Sequence, residues 1–136
     1  LDTGKKDPLL ESNRRVLETL TPRCHGTLDE TSHVDGRVVI EEGVVLVNSR
    51  VRGPAIIGRG TRLENAYVGP FTAVADECEI IDSEVEHSVV LDHSRIVGVP
   101  RIQDSLIGRY VEVHRSEQRP RATLLMVGDH CLVDLE

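Results

Sequence analysis

The sequence predicts a mainly β protein in which residues 34–113 wind into a parallel β-helix, preceded by one short α-helix. The number of coils expected is about five to six. Three observations predict this fold: a 17-residue period of aliphatic residues, a six-residue step inside that period, and an almost purely aliphatic core. Hydrophobic residues form 39% of the 136-residue chain, yet it contains no Trp, one Phe and two Tyr. A core of Val, Ile and Leu suits thin, regular layers better than a bulky globular interior.

The 17-residue period divides into steps of six, six and five, and each step begins with an aliphatic residue. Three short strands joined by tight corners account for these steps, because together they close one triangular coil. Coils stack about 4.8 Å apart through parallel ladders, and a single coil buries nothing by itself. The predicted inward columns are Val34, Val51, Val68, Val85 and Ile102; Ile40, Ile57, Val74 and Leu91; and Leu46, Leu63, Ile80 and Val97.

Small or β-branched residues recur four positions after the aliphatic residues, where a corner of the coil leaves little space. The members of this set are Val38, Val44, Ala55, Thr61, Thr72, Cys78, Val89 and Val111. Short polar residues also recur just before a repeat aliphatic. They are Asn48, Asn65, Asp82, His93 and Asp104, and they are predicted to turn the corners and to bond one another when the coils stack.

The regular period is disturbed after Val97, at the corner containing Pro100, and resumes one residue early at Ile107. Residues 114–123 fit no repeat and are predicted to be a protruding loop within a β-helix domain of residues 34–136. One further repeat occurs at residues 127–133, and the C-terminal tail is expected to cover the exposed edge of the last coil.

A helix is predicted over residues 7–20, with Asp7 as the N-cap and Pro8 at the first helical position. Residues 23–33 are polar and are predicted to be a linker or a first irregular corner. The chain starts at Leu1 rather than Met, so we interpret residues 1–22 as the end of a preceding domain together with this helix.

Composition excludes several classes of function. The net charge of −7 disfavours nucleic acid and anionic membranes as partners. No apolar run approaches the roughly 20 residues that span a bilayer. Three cysteines at unrelated spacings, Cys24, Cys78 and Cys131, do not form a disulfide framework. These features indicate a cytoplasmic protein, with Cys78 and Cys131 as packed thiols.

Motifs at both ends of the chain resemble a known family. Asp2-Thr3-Gly4, the helix with Leu9-Leu10-Glu11-Ser12-Asn13-Arg14, the β-helix, and the ending from Arg119-Pro120-Arg121-Ala122 to Val127-Gly128-Asp129 occur in that order. In this order they resemble the C-terminal part of the long-form glucose-1-phosphate thymidylyltransferases, which are sugar nucleotidyltransferases of dTDP-sugar biosynthesis.

This resemblance implies a left-handed β-helix and a parent enzyme that converts glucose 1-phosphate and dTTP to dTDP-glucose and pyrophosphate. It also implies Mg²⁺ in the parent enzyme, with Asp2 as one of two carboxylates that bind the metal. The second carboxylate and the Gly-rich nucleotide loop are expected upstream of Leu1. The chain itself is therefore expected to bind no cofactor, to be inactive alone and to serve structure and assembly.

Two other functions stay open from the sequence. One is a hexapeptide acyltransferase that uses acyl-CoA, with His114 as the general base and Arg115, Arg119 and Arg121 near the CoA phosphates. The other is a pure oligomerisation module of a different sugar nucleotidyltransferase. A homo-oligomer formed through the β-helix faces is expected, and the apolar residues proposed to face a partner are Val45, Val47, Val90 and Val99.

A metal site is a weaker alternative at His87 and His93, beside Glu86 and Asp92. The simpler interpretation of these two histidines is that they are exposed corner residues.

Overall fold

A computed structural model describes residues 3–115 and 123–125, and it describes side chains for residues 7–115. Within these ranges one helix, α1 (Thr3–Glu18), precedes short strands that form three sheets. The chain visits the three sheets in turn, so each circuit is one triangular coil and each sheet is one flat face of a prism. The described part contains five coils and the start of a sixth, and the architecture matches the expected left-handed parallel β-helix.

We call the three sheets faces A, B and C. Face A contains β1 (Arg23–Cys24), β4 (Val38–Ile40), β7 (Ala55–Ile57), β10 (Thr72–Val74), β13 (Val89–Val90) and β16 (Leu106–Ile107). Face B contains β2 (Thr27–Leu28), β5 (Val45–Val47), β8 (Arg62–Glu64), β11 (Glu79–Ile81), β14 (Arg95–Val97), β17 (Glu112–Arg115) and β18 (Thr123–Leu125). Face C contains β3 (His33–Asp35), β6 (Arg50–Arg52), β9 (Tyr67–Val68), β12 (Glu84–Glu86) and β15 (Ile102–Gln103).

The first predicted inward column is confirmed, and the other two are each wrong at their last member. Val85 pairs with Ile102 as expected, but Val74 pairs with Val90 and Ile80 pairs with Ile96. Val90 and Ile96 are fully buried, while Leu91 and Val97 are only half-buried. The register therefore shifts before Val90, earlier than predicted. The corner that contains Pro100, where the disturbance was predicted, is also changed, and Ile107 pairs with Val90 one residue early, as predicted.

The cause of the shift is a shorter corner between faces C and A. Six positions separate Val68 from Val74, whereas five separate Val85 from Val90. The next step, from Val90 to Ile96, keeps its six positions, and the step from Ile96 to Ile102 is longer by one residue than the step from Ile80 to Val85, so the period of the first column is unchanged. The same shift places Ser88, and not Val89, at the buried small-residue position.

Buried serine and threonine hydroxyls bond successive coils together at the small-residue positions. The Ser88 hydroxyl donates to the Glu86 carbonyl (2.9 Å) and accepts the N–H of Ser105 (3.1 Å) in the next coil. The Ser49 hydroxyl makes the same pair of bonds, to the Val47 carbonyl and from the N–H of Ala66. Each hydroxyl thus satisfies a backbone donor that would otherwise be buried at a corner without a partner.

The predicted polar ladder exists at one corner and contains three of its five predicted members. At the corner between faces B and C, the Asn48 amide donates to Asn65 (3.0 Å) and the Asn65 amide donates to Asp82 (2.9 Å). All three residues have positive φ, at 46°, 48° and 50°. His93 and Asp104 also have positive φ, but they lie at the other two corners, so their place in this ladder was predicted wrongly.

Asp29 begins this stack at the first coil. Its carboxylate accepts bonds from the Ser32 hydroxyl (2.7 Å) and from the backbone N–H of Asn48 (3.2 Å). The Ser32 bond has the largest effect and lowers the pKa of Asp29, desolvation opposes it, and the Asn48 bond lowers the pKa by a smaller amount. The Asp29 carboxylate is therefore a charged acceptor for the backbone N–H of Asn48 in the next coil.

The N-terminal boundaries differ from the predicted ones. The helix begins at Thr3, so Asp7 is not its N-cap and Pro8 lies inside it, in the second turn. Residues 23–33 are not a linker, because β1 and β2 lie within them and pair in parallel with β4 and β5. The first coil therefore begins directly after the helix.

The predicted loop at 114–123 is shorter at both ends. His114 and Arg115 belong to β17, and Thr123 begins β18, which pairs antiparallel with β17. This antiparallel strand covers the last parallel edge of face B, which is a role expected of the tail. Residues 116–122 and the predicted late repeat at 127–133 lie outside the described residues.

Asn65→Ala should destabilise the protein by about 2 kcal/mol, because it removes two ladder bonds and places an alanine at positive φ. Asn65→Gly should cost only about half of that, since glycine accepts the positive φ and loses the bonds alone. The free energy of unfolding in urea measures both. Equal losses in the two variants would show that backbone strain at this corner contributes nothing.

Candidate functional site

Helix α1 packs across the outer surface of face A and covers its apolar residues. Val39 points away from the prism core, yet it is only 1% exposed. Leu10 and Leu17 of the helix are also buried, at 4% and 1%. These three residues do not belong to the core inside the prism. They form a second apolar layer between the helix and face A. The helix is thereby held in a fixed orientation on the β-helix.

Polar contacts fix the helix at both ends of this layer. The Asn13 amide donates to the Phe71 carbonyl (3.4 Å), and the Arg14 guanidinium lies 4.3 Å from the centroid of the Phe71 ring. Near the other end, the Arg37 guanidinium donates to the carbonyl of Glu18. The helix therefore spans three successive coils, from Arg37 to Phe71.

Equivalent positions of three successive coils meet beside this helix, at the corner between faces C and A. Phe71 has positive φ and packs edge-on against His87, with ring centroids 6.4 Å apart. His87 Nδ1 in turn contacts the carboxylate of Asp104. An open groove runs past these side chains and is also lined by Arg14 and Gln103. The cluster joins the helix to the prism through a cation–π contact, an aromatic contact and a charge-assisted hydrogen bond.

Sequence reasoning missed this cluster. The available signal was Phe71, because it is the only Phe in the chain and it stands in a corner position where a small polar residue was expected. Arg14 and Asp104 gave no separate signal, since their partners come from other coils.

Asp2, the predicted metal ligand, lies outside the described residues. His114 lies on β17, in an outward column of face B, with Nδ1 at 3.8 Å from the Glu112 carboxylate. Its side chain is 38% exposed. Arg115 follows it on the same strand, whereas Arg119 and Arg121 lie in the part that is not described. The structure therefore shows His114 beside an acid and followed by Arg115, one of the three arginines expected near a CoA phosphate.

The two candidate metal-binding histidines do not converge. His87 is at the corner between faces C and A, while His93 is at the corner between faces A and B and stacks on Tyr110 at 4.8 Å. Among the described residues, no three His, Cys, Asp or Glu side chains lie close enough to hold a metal ion. The described residues thus provide no set of oxygen ligands that fits Mg²⁺. No helix in the described part is long and apolar enough to cross a membrane.

Cys78 is a packed thiol, as predicted. It is fully buried, and burial raises its pKa to about 11. Its Sγ lies 3.2 Å from the carbonyl of Leu91. A thiol held protonated in this way is a poor nucleophile. The other predicted packed thiol, Cys131, lies outside the described range.

Face B presents two outward columns of side chains, separated by a column of buried residues that point inward: Leu46, Leu63, Ile80, Ile96 and Val113. The first column contains Val45, Arg62, Glu79, Arg95 and Glu112, and the second contains Val47, Glu64, Ile81, Val97 and His114. The Arg95 guanidinium lies 3.1 Å from Glu79 and 3.6 Å from Glu112. Within one chain, therefore, Arg95 already pairs with two acids along the coil axis, while Arg62 pairs with Glu64 on its own strand at 3.4 Å.

Two of the four valines expected to face a partner are in the core. Val90 is fully buried and Val99 is 5% exposed, and both belong to the apolar cluster inside the prism. Val90 points inward because the short corner before it shifts the register. Val45 and Val47 are half-buried on face B, so they remain available for such a contact.

Comparison with known proteins gives similarity over nearly the whole chain. The glucose-1-phosphate thymidylyltransferase of Streptomyces griseus is 54% identical over 129 residues, which cover 95% of this chain and 36% of that protein. The enzyme of the same name from Streptomyces antibioticus is 50% identical, over 99% of this chain and 38% of that protein. The low-salt glycan biosynthesis nucleotidyltransferase Agl11 of Haloferax volcanii is 34% identical, over 98% of this chain and 38% of that protein.

No family model matches the chain. The chain spans somewhat more than a third of the length of these curated relatives. The predicted resemblance to glucose-1-phosphate thymidylyltransferases is confirmed over this length.

Leu17→Ala should release helix α1 from face A, because the substitution leaves a cavity in an apolar layer that has few other members. We expect a loss of about 2–3 kcal/mol. Helical circular dichroism should melt well before the β-helix signal. Val16→Ala is the matched control, since Val16 is 62% exposed and should change neither transition. Unchanged helix melting in Leu17→Ala would contradict this account of the layer.

The Cys78 thiol should react slowly with an aromatic disulfide reagent. In a Cys24→Ser/Cys131→Ser variant at pH 8, a pKa of about 11 leaves a thiolate fraction of ~0.001. Unfolding in urea should raise the rate by about 100-fold, and the folded rate should rise about tenfold per pH unit up to pH 10. The exposed Cys24, kept alone in a Cys78→Ser/Cys131→Ser variant, is the control and should react at the free-thiol rate. Equal folded and unfolded rates for Cys78 would refute burial as the cause.

Proposed function

We propose that this chain is the C-terminal β-helix part of a glucose-1-phosphate thymidylyltransferase, the enzyme that makes dTDP-glucose and pyrophosphate from glucose 1-phosphate and dTTP. In this proposal the chain serves structure and assembly and does not carry out the transfer by itself. The observation that carries the proposal is identity of 50–54% along 95–99% of the chain with two enzymes of that name, of which it covers 36–38%.

The described structure supports a positioning role for the β-helix. Asp2, which the family resemblance makes a metal-binding carboxylate, directly precedes the first residue of helix α1. That helix is clamped on face A by Leu10 and Leu17 and by the contact of Arg14 with Phe71. A rigid prism fixed to the helix therefore restrains the chain that leads to Asp2. Positioning of a catalytic group to within about 1 Å is worth large factors in rate.

Mg²⁺ held by Asp2 and an upstream carboxylate would offset negative charge on the nucleotide phosphates. One carboxylate by itself is a poor Mg²⁺ site, because the ion is bound through several oxygens at once. In this proposal the remaining ligands, the nucleotide loop and the choice of nucleotide and sugar reside outside the chain. Similarity to the differently named nucleotidyltransferase Agl11 supports this division, since the same kind of β-helix accompanies more than one such enzyme.

The cytoplasm is the proposed location, because a nucleoside triphosphate and a sugar phosphate are both available there. The proposed partners are the enzyme's own substrates, bound by the intact enzyme, and further copies of the same chain.

Pyrophosphate release tests the proposal. The chain alone, mixed with glucose 1-phosphate, dTTP and Mg²⁺, should show no activity above background, while the full-length enzyme that contains it should form dTDP-glucose. In that enzyme Asp2→Asn should lower kcat by about 100-fold or more, through loss of a metal ligand. Asp7→Asn, an equally conservative change five residues further along the chain, should leave kcat within about twofold. Turnover by the chain alone, or equal effects of the two substitutions, would overturn the assignment.

Ligand binding distinguishes the acyltransferase alternative from the proposed function. His114 beside Glu112 is the described feature that favours it, because an acid can orient an imidazole as a general base. If the nucleotidyltransferase assignment is correct, calorimetry of the chain with acetyl-CoA should show no binding. Tight binding that is lost in His114→Ala would replace the present proposal.

A further inference from the structure

Face B carries a charge pattern that is complementary to itself when its direction is reversed. Along the coil axis, the first outward column reads Arg62, Glu79, Arg95 and Glu112 in four successive coils. The signs alternate as plus, minus, plus, minus. Read from the other end, the same column is minus, plus, minus, plus. Two copies of the column packed head to tail therefore place opposite charges against each other at every level.

The second outward column has the same property with a different chemistry. It reads Glu64, Ile81, Val97 and His114 in the same four coils. Reversal places Glu64 opposite His114 at the outer levels, and Ile81 opposite Val97 at the inner ones. An acid thus meets an imidazole, and the two aliphatic residues, both half-buried in one chain, meet each other.

From these two columns we infer that face B is a surface on which a second copy of the chain docks, antiparallel to the first. The twofold axis lies in the plane of the interface, between the level of Glu79 and the level of Arg95. It pairs Arg62 with Glu112 of the second copy and Glu79 with Arg95 of the second copy. The inference rests on the proposed assembly role and specifies its surface, partner and direction.

A parallel arrangement of two copies does not fit the same face. There the twofold axis runs along the coil axis, so the first column of one copy faces the second column of the other at the same level. Glu79 would then oppose Ile81, and Arg95 would oppose Val97. Two charges would be desolvated against aliphatic side chains, and no opposite charge would compensate for the cost in free energy. The antiparallel arrangement leaves no such mismatch in these four coils.

Exposure and size indicate the character of this contact. The side chains of Arg62, Glu79, Arg95 and Glu112 are 41–50% exposed, so they can exchange their contacts within the chain for contacts across an interface. Four levels about 4.8 Å apart extend over less than about 20 Å. An interface of this size gives a reversible dimer, and its charge pairs make it sensitive to salt.

Sedimentation velocity of the whole chain tests the inference. The wild-type chain should dimerise reversibly at low salt, and an increase from about 0.05 M to about 0.5 M NaCl should weaken the dimer several-fold. Glu79→Arg should weaken it by at least about tenfold, because the introduced arginine would then face Arg95 of the second copy at both symmetric positions. Arg95→Glu should do the same with two opposed acids.

A mixture of the two single variants gives the sharpest result. In a mixed pair, both arginines of the Glu79→Arg chain face both glutamates of the Arg95→Glu chain, so dimers should form at close to wild-type strength. The matched control is Glu84→Arg on face C, because Glu84 pairs with Arg101 of the next coil much as Glu79 pairs with Arg95. This control should dimerise like the wild type, and circular dichroism should confirm that all variants are folded.

Failure of this inference is distinguishable from failure of the proposed function. A chain that dimerises equally well with and without Glu79→Arg would overturn the antiparallel face B contact and leave the assembly role standing. A chain that stays monomeric at high concentration and low salt would overturn both the contact and the assembly role. Neither result would alter the pyrophosphate assay on the full-length enzyme.

Discussion

The hydrogen bonding between successive coils is the constraint on which the rest of this structure depends. Backbone N–H groups of one coil donate to carbonyls of the next, as from Tyr67 to Ser83 at 3.0 Å. Each coil must therefore match the length of its neighbours closely, or a buried donor is left without an acceptor. The corner before Val90 is one residue shorter than its predecessor, and the step from Ile96 to Ile102 is one residue longer, so all three ladders stay intact. Regular stacking thus produces flat faces whose side chains stand in straight columns.

In the proposed function, those columns are what the chain contributes to the rest of an enzyme. On face A they are apolar and hold helix α1, which leads back toward Asp2. On face B the first outward column alternates in charge, a pattern that we infer is suited to a second copy of the same face. The nucleotidyltransferase relatives are nearly three times as long as the region they share with this chain, so in those relatives the matching region is one part of a longer chain. In the proposed function, the contribution of this region is rigid positioning and association.

Much of the fold could be predicted because the 17-residue period of aliphatic residues identifies the side chains that pack in the core. Val51, Val68 and Val85 identify one inward column, and the spacing between columns identifies the corners. The period could not show that Val90 and Ile96 replace Leu91 and Val97, because one shortened and one lengthened step leave the spacing of the first column at 17. The period also could not show that His93 lies at a different corner from Asn48, since all three corners favour similar polar residues.

The sequence by itself determined the kind of fold, the location of the helix and the family that the chain resembles. Only the tertiary structure decided which residues meet, because the contacts that matter join positions 16 or more residues apart. Phe71 reaches Arg14, His87 contacts Asp104, and the charges of face B align in one column only after the coils stack. The repeat period reports where side chains point along one coil, and stacking decides what lies beside them in the next.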